Sequence, residues 1–310
     1  FGTENGEKWQ EQRKFVLQAA RNLGLGKGPW EELIMEETSN FVEEVKKIEG
    51  KPVNIVPTLV SSLNASIISL LIGRRLKKDE EADKIELCMD YAHVVFKDVA
   101  PSNPMSLVPG LRKLFQILKI AGFDHAAKTI ENFNLFMRNE IIRHKNSPDL
   151  RTVNDFINSY LDKLSVISKA KDTKNYFSEK TLEGNLGGLF LGASDTISSS
   201  LSYLLRLMCK YKEVQDKVYA ELIEANGKDG KVRYEDKSKV PYTFAVIMET
   251  QRYVSVVRLS GTRTARQDIP VKERFLTDGG TKLIKQPPSY APFQLGKETV
   301  QVKRWLGWAC

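Results

Sequence analysis

Apolar residues recur at intervals of three and four along most of the chain, the spacing that gathers them on one face of an α-helix. The pattern predicts helices over 9–23, closed by Gly24 and Gly26, over 30–48, closed by Gly50 and Pro52, and over 59–71, capped by Gly73. It continues over 80–96, 111–120, 125–144 and 149–164, with Pro, Gly, Asn or Asp between the segments, as at Pro101 and Pro104. The longest helix is expected over 178–210, which contains no proline, and 213–226 follows after a short break. Helical periodicity persists to about Tyr253. Beyond Val254 the character changes. Val256, Val257 and the segment 262–269 have strand-like composition, and Pro287, Pro288 and Pro292 make the tail irregular. No internal repeat or low-complexity tract interrupts this, so the expected fold is one mainly α domain with little sheet.

Composition narrows the function classes. With 310 residues, 41% of them apolar, the chain can bury a real core, which excludes a disordered tail or a disulfide-stapled miniprotein. Lys plus Arg is 47 and Asp plus Glu is 39, a net charge of +8 spread along the chain, which favours an acidic partner over nucleic acid. Cys88, Cys209 and Cys310 are too far apart for a disulfide framework or a metal knuckle. His93, His125 and His144 lack the spacing of a histidine-built zinc site, so metal chemistry would require a prosthetic group. The segment 184–205 holds one charge, Asp195, but Ser194, Ser198, Ser199, Ser200 and Ser202 make it too polar for a membrane span, and it reads as a long buried helix. The chain starts at Phe1 with a polar run over 2–8, so a fragment of a longer product is expected.

Three short patterns could carry chemistry. Gly192 and Ala193 inside the longest helix would let a planar ligand approach the backbone, and Asp195 with Thr196 could hydrogen-bond and relay protons. A helix-packing notch with a solvated Asp is the plainer reading. Glu249 and Arg252 form an i, i+3 pair that is weak on a solvated surface but is flanked by the apolar runs 244–248 and 254–257, which predicts a buried pair in need of a third partner. Trp9 and Arg13, at i and i+4, could clamp a carboxylate, or could belong to an ordinary amphipathic helix.

Taken together, in this order, these patterns resemble the cytochrome P450 family of haem-thiolate monooxygenases, above all its microsomal, family-2-like branch. Trp9 and Arg13 match the WxxxR helix, which implies a haem propionate as their partner. The run 192–196 matches (A/G)GxDT, with Ala193 where glycine is usual, and implies that Asp195 and Thr196 serve oxygen activation. Glu249 and Arg252 match ExxR, and Arg274 lies in a segment similar to PERF that would complete their network. Arg263 matches a second propionate-binding position, and the helix that includes Asn154, Asp155, Phe156 and Ile157 resembles the one that precedes the central helix. Phe96, Phe190, Val256 and Leu259 are expected to line the substrate pocket, with ordinary core as the alternative.

The cysteine loop departs from the family. Phe293 and Gly296 match its start as haem-binding positions, but Glu298 stands at the arginine position, Val300 at the cysteine position and Val302 at the glycine position. Valine cannot ligate iron. A frame shifted by one base after Lys297 can encode arginine, asparagine, cysteine, proline, glycine and glutamate in succession, so 298–310 is expected to be an out-of-frame, non-native tail. Residues 1–297 would then form a partial domain, with a segment missing near 271/272.

The expected fold is therefore the cytochrome P450 fold, mainly α and incomplete, with a vestigial β-sheet. The resemblance implies haem b as cofactor in an intact relative, with binding by this chain in doubt, and oxidation of small apolar substrates with O₂. It also implies electrons from an NADPH-dependent reductase that meets the basic face around Lys8, Lys14 and Arg21. The endoplasmic reticulum membrane, through an anchor absent here, is the implied location, and no nucleic acid is expected as a partner. The rival reading is a non-catalytic remnant that binds no haem, or a helical interaction module.

Overall fold

The computed structural model describes residues 5–24, 28–77, 80–96, 111–118, 123–170, 176–228, 230, 232–254, 256, 276–277 and 282–283. The chain divides into two compact units, Phe1–Ser198 and Ser199–Cys310, and one long helix runs through the boundary. The mainly helical architecture expected from periodicity is what the structure shows.

The first unit contains α1 (Gly6–Asn22), α2 (Gly28–Lys46), α3 (Val56–Ile72), α4 (Ala82–Val94), α5 (Leu111–Ile117), α6 (Phe123–Asn146), α7 (Phe156–Ala170) and the first part of α8 (Glu179–Lys210). Helix α3 packs on α2, α4 and α7, while α6 packs on α4, α5 and α7. Their apolar stripes meet in a core that fully buries Ile68, Met137, Ile157, Tyr160, Leu186 and Phe190. Rings organise this core. Tyr91 stacks on Phe133 at 3.8 Å, Phe190 lies 5.3 Å from Phe133, and Phe15 meets Tyr160 edge-on at 5.1 Å.

Helix α3 ends at Gly73, whose φ of 70° is left-handed and whose N–H donates to the Ser69 carbonyl at 2.9 Å. A Cβ there would collide with the side chains of Asp155 and Val153, so glycine is required both by conformation and by the close approach of the start of α7. The single helix expected over 149–164 is broken in two. A 3-10 turn, Pro148–Thr152, precedes α7, because side chains take over the backbone groups between them. Asp155 accepts the Asn158 N–H at 2.8 Å, as an N-cap does, and Asn158 Nδ2 donates to the Leu150 and Val153 carbonyls at 2.7 and 2.9 Å.

The second unit holds the rest of α8, α9 (Lys212–Asn226), a 3-10 turn (Tyr234–Ser238) and α10 (Pro241–Val254). Helix α10 starts on a proline, and Glu221 of α9 caps it by accepting the Tyr242 and Thr243 N–H groups at 2.8 and 2.7 Å. The sheet among the described residues is a two-residue antiparallel pair, β1 (Leu276–Thr277) with β2 (Lys282–Leu283), in which Leu276 faces Leu283. The strand-like segment 262–269 and the irregular tail lie outside the described residues. Among the described residues, no helix is long and apolar enough to cross a membrane.

Candidate functional site

Helix α1 brings Trp9 and Arg13 onto one face, as their i, i+4 spacing requires, with the guanidinium 5.6 Å from the centre of the indole ring. Arg13 Nε is buried and has no hydrogen-bond partner among the described residues. Between them on α1 lies a residue that the sequence reading passed over. Gln12 is fully buried and joins three segments: its Nε2 donates to the Tyr176 carbonyl at 2.8 Å, and its Oε1 accepts from Tyr160 of α7 at 3.2 Å and from Asn185 of α8 at 2.8 Å. Burial pushes the Tyr160 phenol up to about 12, so it acts as a neutral donor. A glutamine in register with buried Val16 and Ala19 was the available signal.

On α8 the motif residues separate by face. Gly192 is exposed, and a Cβ on it would meet nothing within 4 Å, whereas Ala193 is buried at 3% exposure. The open side of the helix therefore belongs to Gly192, and Ala193, expected at the cofactor, packs inward. Thr196 Oγ1 donates to the Gly192 carbonyl at 2.8 Å. Asp195 is half-buried, and burial raises its pKa above the ordinary carboxylate value, while the field of His93 on α4 works the other way. Ser194, between them, is buried and donates to Asn64 Oδ1 on α3 at 2.5 Å.

The residues expected to line a substrate pocket scatter. Phe190 is fully buried among Phe133 and Tyr91, the ordinary-core alternative, because its position on α8 faces the aromatic cluster. Phe96 is 39% exposed, and Val256 is half-buried after the end of α10. An open cleft of about 1040 Å³ lies along α4 and α6, lined by Asp90, His125, Leu135 and Phe136 among others, and the described members of the expected pocket set, Phe96, Phe190 and Val256, do not line it. Lys14 and Arg21 are exposed on α1 and Lys8 is half-buried.

Glu249 and Arg252 form the expected pair on α10 in bidentate geometry, with Arg252 Nε and Nη2 donating to the carboxylate at 2.7 and 2.6 Å. The hydrogen bonds lower the Glu249 pKa and raise that of Arg252. The expectation of burial is corrected: among the described residues the side chains are 60% and 65% exposed, and the apolar neighbours on the same face, Ala245 and Met248, are exposed with them, so an apolar run in sequence does not mean that this face is covered. Arg274, Arg263, Leu259, Phe293, Gly296 and the Val300 position lie outside the described residues.

The described residues contain no cluster of His, Cys, Asp and Glu able to hold a metal ion directly. Two features fit a haem. The unpartnered Arg13 Nε suits a carboxylate such as a propionate, and the open side of Gly192 leaves room for a flat ligand against the α8 backbone.

The cytochrome P450 family model matches residues 2–290, nearly the whole of this mainly helical chain. The chain belongs to the cytochrome P450 family. It is similar to mouse cytochrome P450 2J5, 30% identical over 295 residues that cover 93% of this chain and 57% of the relative. It is 31% identical to mouse cytochrome P450 2C29, over 90% of this chain and 56% of that protein, and 28% identical to chicken cytochrome P450 2H2, over 88% and 54%. The chain thus spans little more than half the length of these relatives.

Proposed function

We propose that the intact protein is a haem-dependent monooxygenase that oxidises small apolar substrates with O₂ and electrons from an NADPH-dependent reductase, on the cytosolic face of the endoplasmic reticulum membrane. One observation carries the reading: Gln12 ties α1 to α8 through Asn185, while its neighbour Arg13 keeps a buried Nε without an acceptor among the described residues. A buried donor left unmet costs stability, and a ligand carboxylate would satisfy it. When bound, haem b supplies the iron that takes up O₂ and electrons.

The chain's own residues then divide the work. Trp9 and Arg13 hold a propionate, with Arg263 and the segment around Phe293 and Gly296 as further haem contacts. Gly192 leaves the face of α8 open, Asp195 holds a proton more readily than an exposed carboxyl, and the Thr196 hydroxyl passes one on. Glu249, Arg252 and Arg274 form a supporting network. Phe96, Val256 and Leu259 border the substrate, and the exposed Lys14 and Arg21 meet an acidic reductase surface. Residues 298–310 we read as translated one base out of frame, which the nucleotide sequence over 296–310 tests directly.

The function is tested in the protein with its cysteine loop restored. Arg13→Ala weakens haem retention, because it removes a charge-assisted bond, and Thr196→Ala leaves haem bound but diverts electrons to peroxide. Equal haem loss in both variants, or unchanged coupling in the threonine variant, would overturn the assignment. Val300 favours a second reading, a remnant that holds no thiolate-ligated haem, for the chain in its present form.

A further inference from the structure

Around position 196, helix α8 directs its hydroxyls in two ways. Thr196 and Ser198 donate back along their own helix, each to the carbonyl four residues earlier at 2.8 Å, as mid-helix Ser and Thr commonly do. Ser194 instead reaches out of the helix to Asn64 Oδ1 on α3. Both residues are buried, at 1% and 3% exposure.

Asn64 is an expensive residue for its place. It sits on a buried face that includes Ile67, Ile68 and Leu71, and its Nδ2 is buried without a partner among the described residues. A leucine there would leave no donor unmet. What the amide offers is direction: it can meet Ser194 in only one rotational setting of α8, much as a buried asparagine fixes the register of a coiled coil. Residues on an ideal α-helix turn by about 100° each, so Ser194 lies about 200° from both Gly192 and Thr196. Fixing Ser194 inward turns those two outward, and Gly192 is the exposed residue with open space beside it.

We propose that Asn64 is a positioning residue that sets the rotational register of α8 through Ser194 and so presents Gly192 and Thr196 on the open side. What the register serves rests on the function proposed above; the register itself does not. The chain as it stands permits the test, in a Cys209→Ser, Cys310→Ser background with Thr196→Cys as a thiol reporter. Cys88 can remain, since it is buried and its thiol is pushed up to about 12 by that burial. Ser194→Ala and Asn64→Leu each slow maleimide labelling at position 196 by about tenfold, and the double variant slows it no further. Ser194→Thr, which keeps the hydroxyl, restores the rate.

Unchanged labelling in Ser194→Ala overturns the proposal. So does loss of helical circular dichroism in that variant, because alanine is the best helix former and a collapse would make the bond a stability element instead. If Asn64→Leu fails to fold, Ser194→Ala alone decides. Hemin titration of the frame-restored protein separates the two claims: the expected labelling pattern in the present chain, with no hemin uptake by the restored one, sinks the proposed function and leaves the register role standing.

Discussion

Asp195 shows how burial of a single carboxyl makes stability depend on pH. Its carboxyl is half-buried, so ionisation costs more in the folded chain than in the unfolded one, and its pKa is raised. Below the ordinary carboxylate pKa both states are protonated and no penalty exists; as pH rises through the window up to the folded value, the unfolded chain gives up its proton first and stability falls. Asp195→Asn is therefore expected to stabilise the chain at neutral pH and to have no such effect near pH 3, as read from urea denaturation at the two values. A variant less stable than the parent at pH 7 would show that the carboxylate has a partner that outweighs its burial. The half-burial of this residue agrees with its place in a long helix that reads as buried from the run 184–205. The inward turn of Ala193 and the bond from Ser194 to Asn64 were not legible in the sequence, because partners 130 residues apart are chosen by helix packing, which local pattern does not encode.

Helices were read well where an apolar stripe ran unbroken, and less well where side chains replaced backbone hydrogen bonds. The break before α7 follows from Asp155 and Asn158, whose capping roles depend on contacts that only the fold supplies. Asp155 also meets His144 Nε2 at 3.1 Å, with both side chains at or below 1% exposure, while His144 Nδ1 lies 2.7 Å from the Glu140 carbonyl oxygen. Burial lowers the His144 pKa, but the bonds to Asp155 and Glu140 outweigh it and the net shift is upward. The stability so gained is fully present below about pH 6.5 and is lost as pH rises through the folded value. Asp155→Ala should thus cost about 3–5 kcal/mol, most at low pH, since it leaves a buried imidazolium unpaired and uncaps α7. A loss that is flat with pH would mean that His144 stays neutral. For α1, Gln12→Leu strands the Tyr160 hydroxyl and the Asn185 amide, and with about 1–3 kcal/mol for each unmet group we expect a loss of about 3 kcal/mol in urea denaturation. A neutral outcome would show that α1 is held by its apolar contacts alone.

At the scale of the whole molecule, the resemblance read from three widely separated patterns agrees with a family match over residues 2–290, and the chain matches its relatives over little more than half of their length. Those patterns were legible because each combines unusual residue types at a fixed spacing. The exposure of Glu249 and Arg252 was not, since an apolar run in sequence does not say which side of a helix is covered, and Ala245 and Met248 on the same face are exposed as well. The remaining question is the axial ligand, and it has a spectroscopic answer. A thiolate supplied from below the iron gives the reduced, carbon monoxide-bound haem its characteristic red-shifted band, and Val300 has no sulfur to supply. Cys88 is buried in the helical core, which closes it to an incoming haem, and the burial pushes its free thiol up to about 12. Cys209 is exposed on α8. We therefore expect the chain, loaded with hemin, reduced and exposed to carbon monoxide, to lack the thiolate band, and the frame-restored protein to show it. A thiolate band from the present chain would overturn this, and Cys209→Ser and Cys310→Ser variants would then show which sulfur had reached the iron.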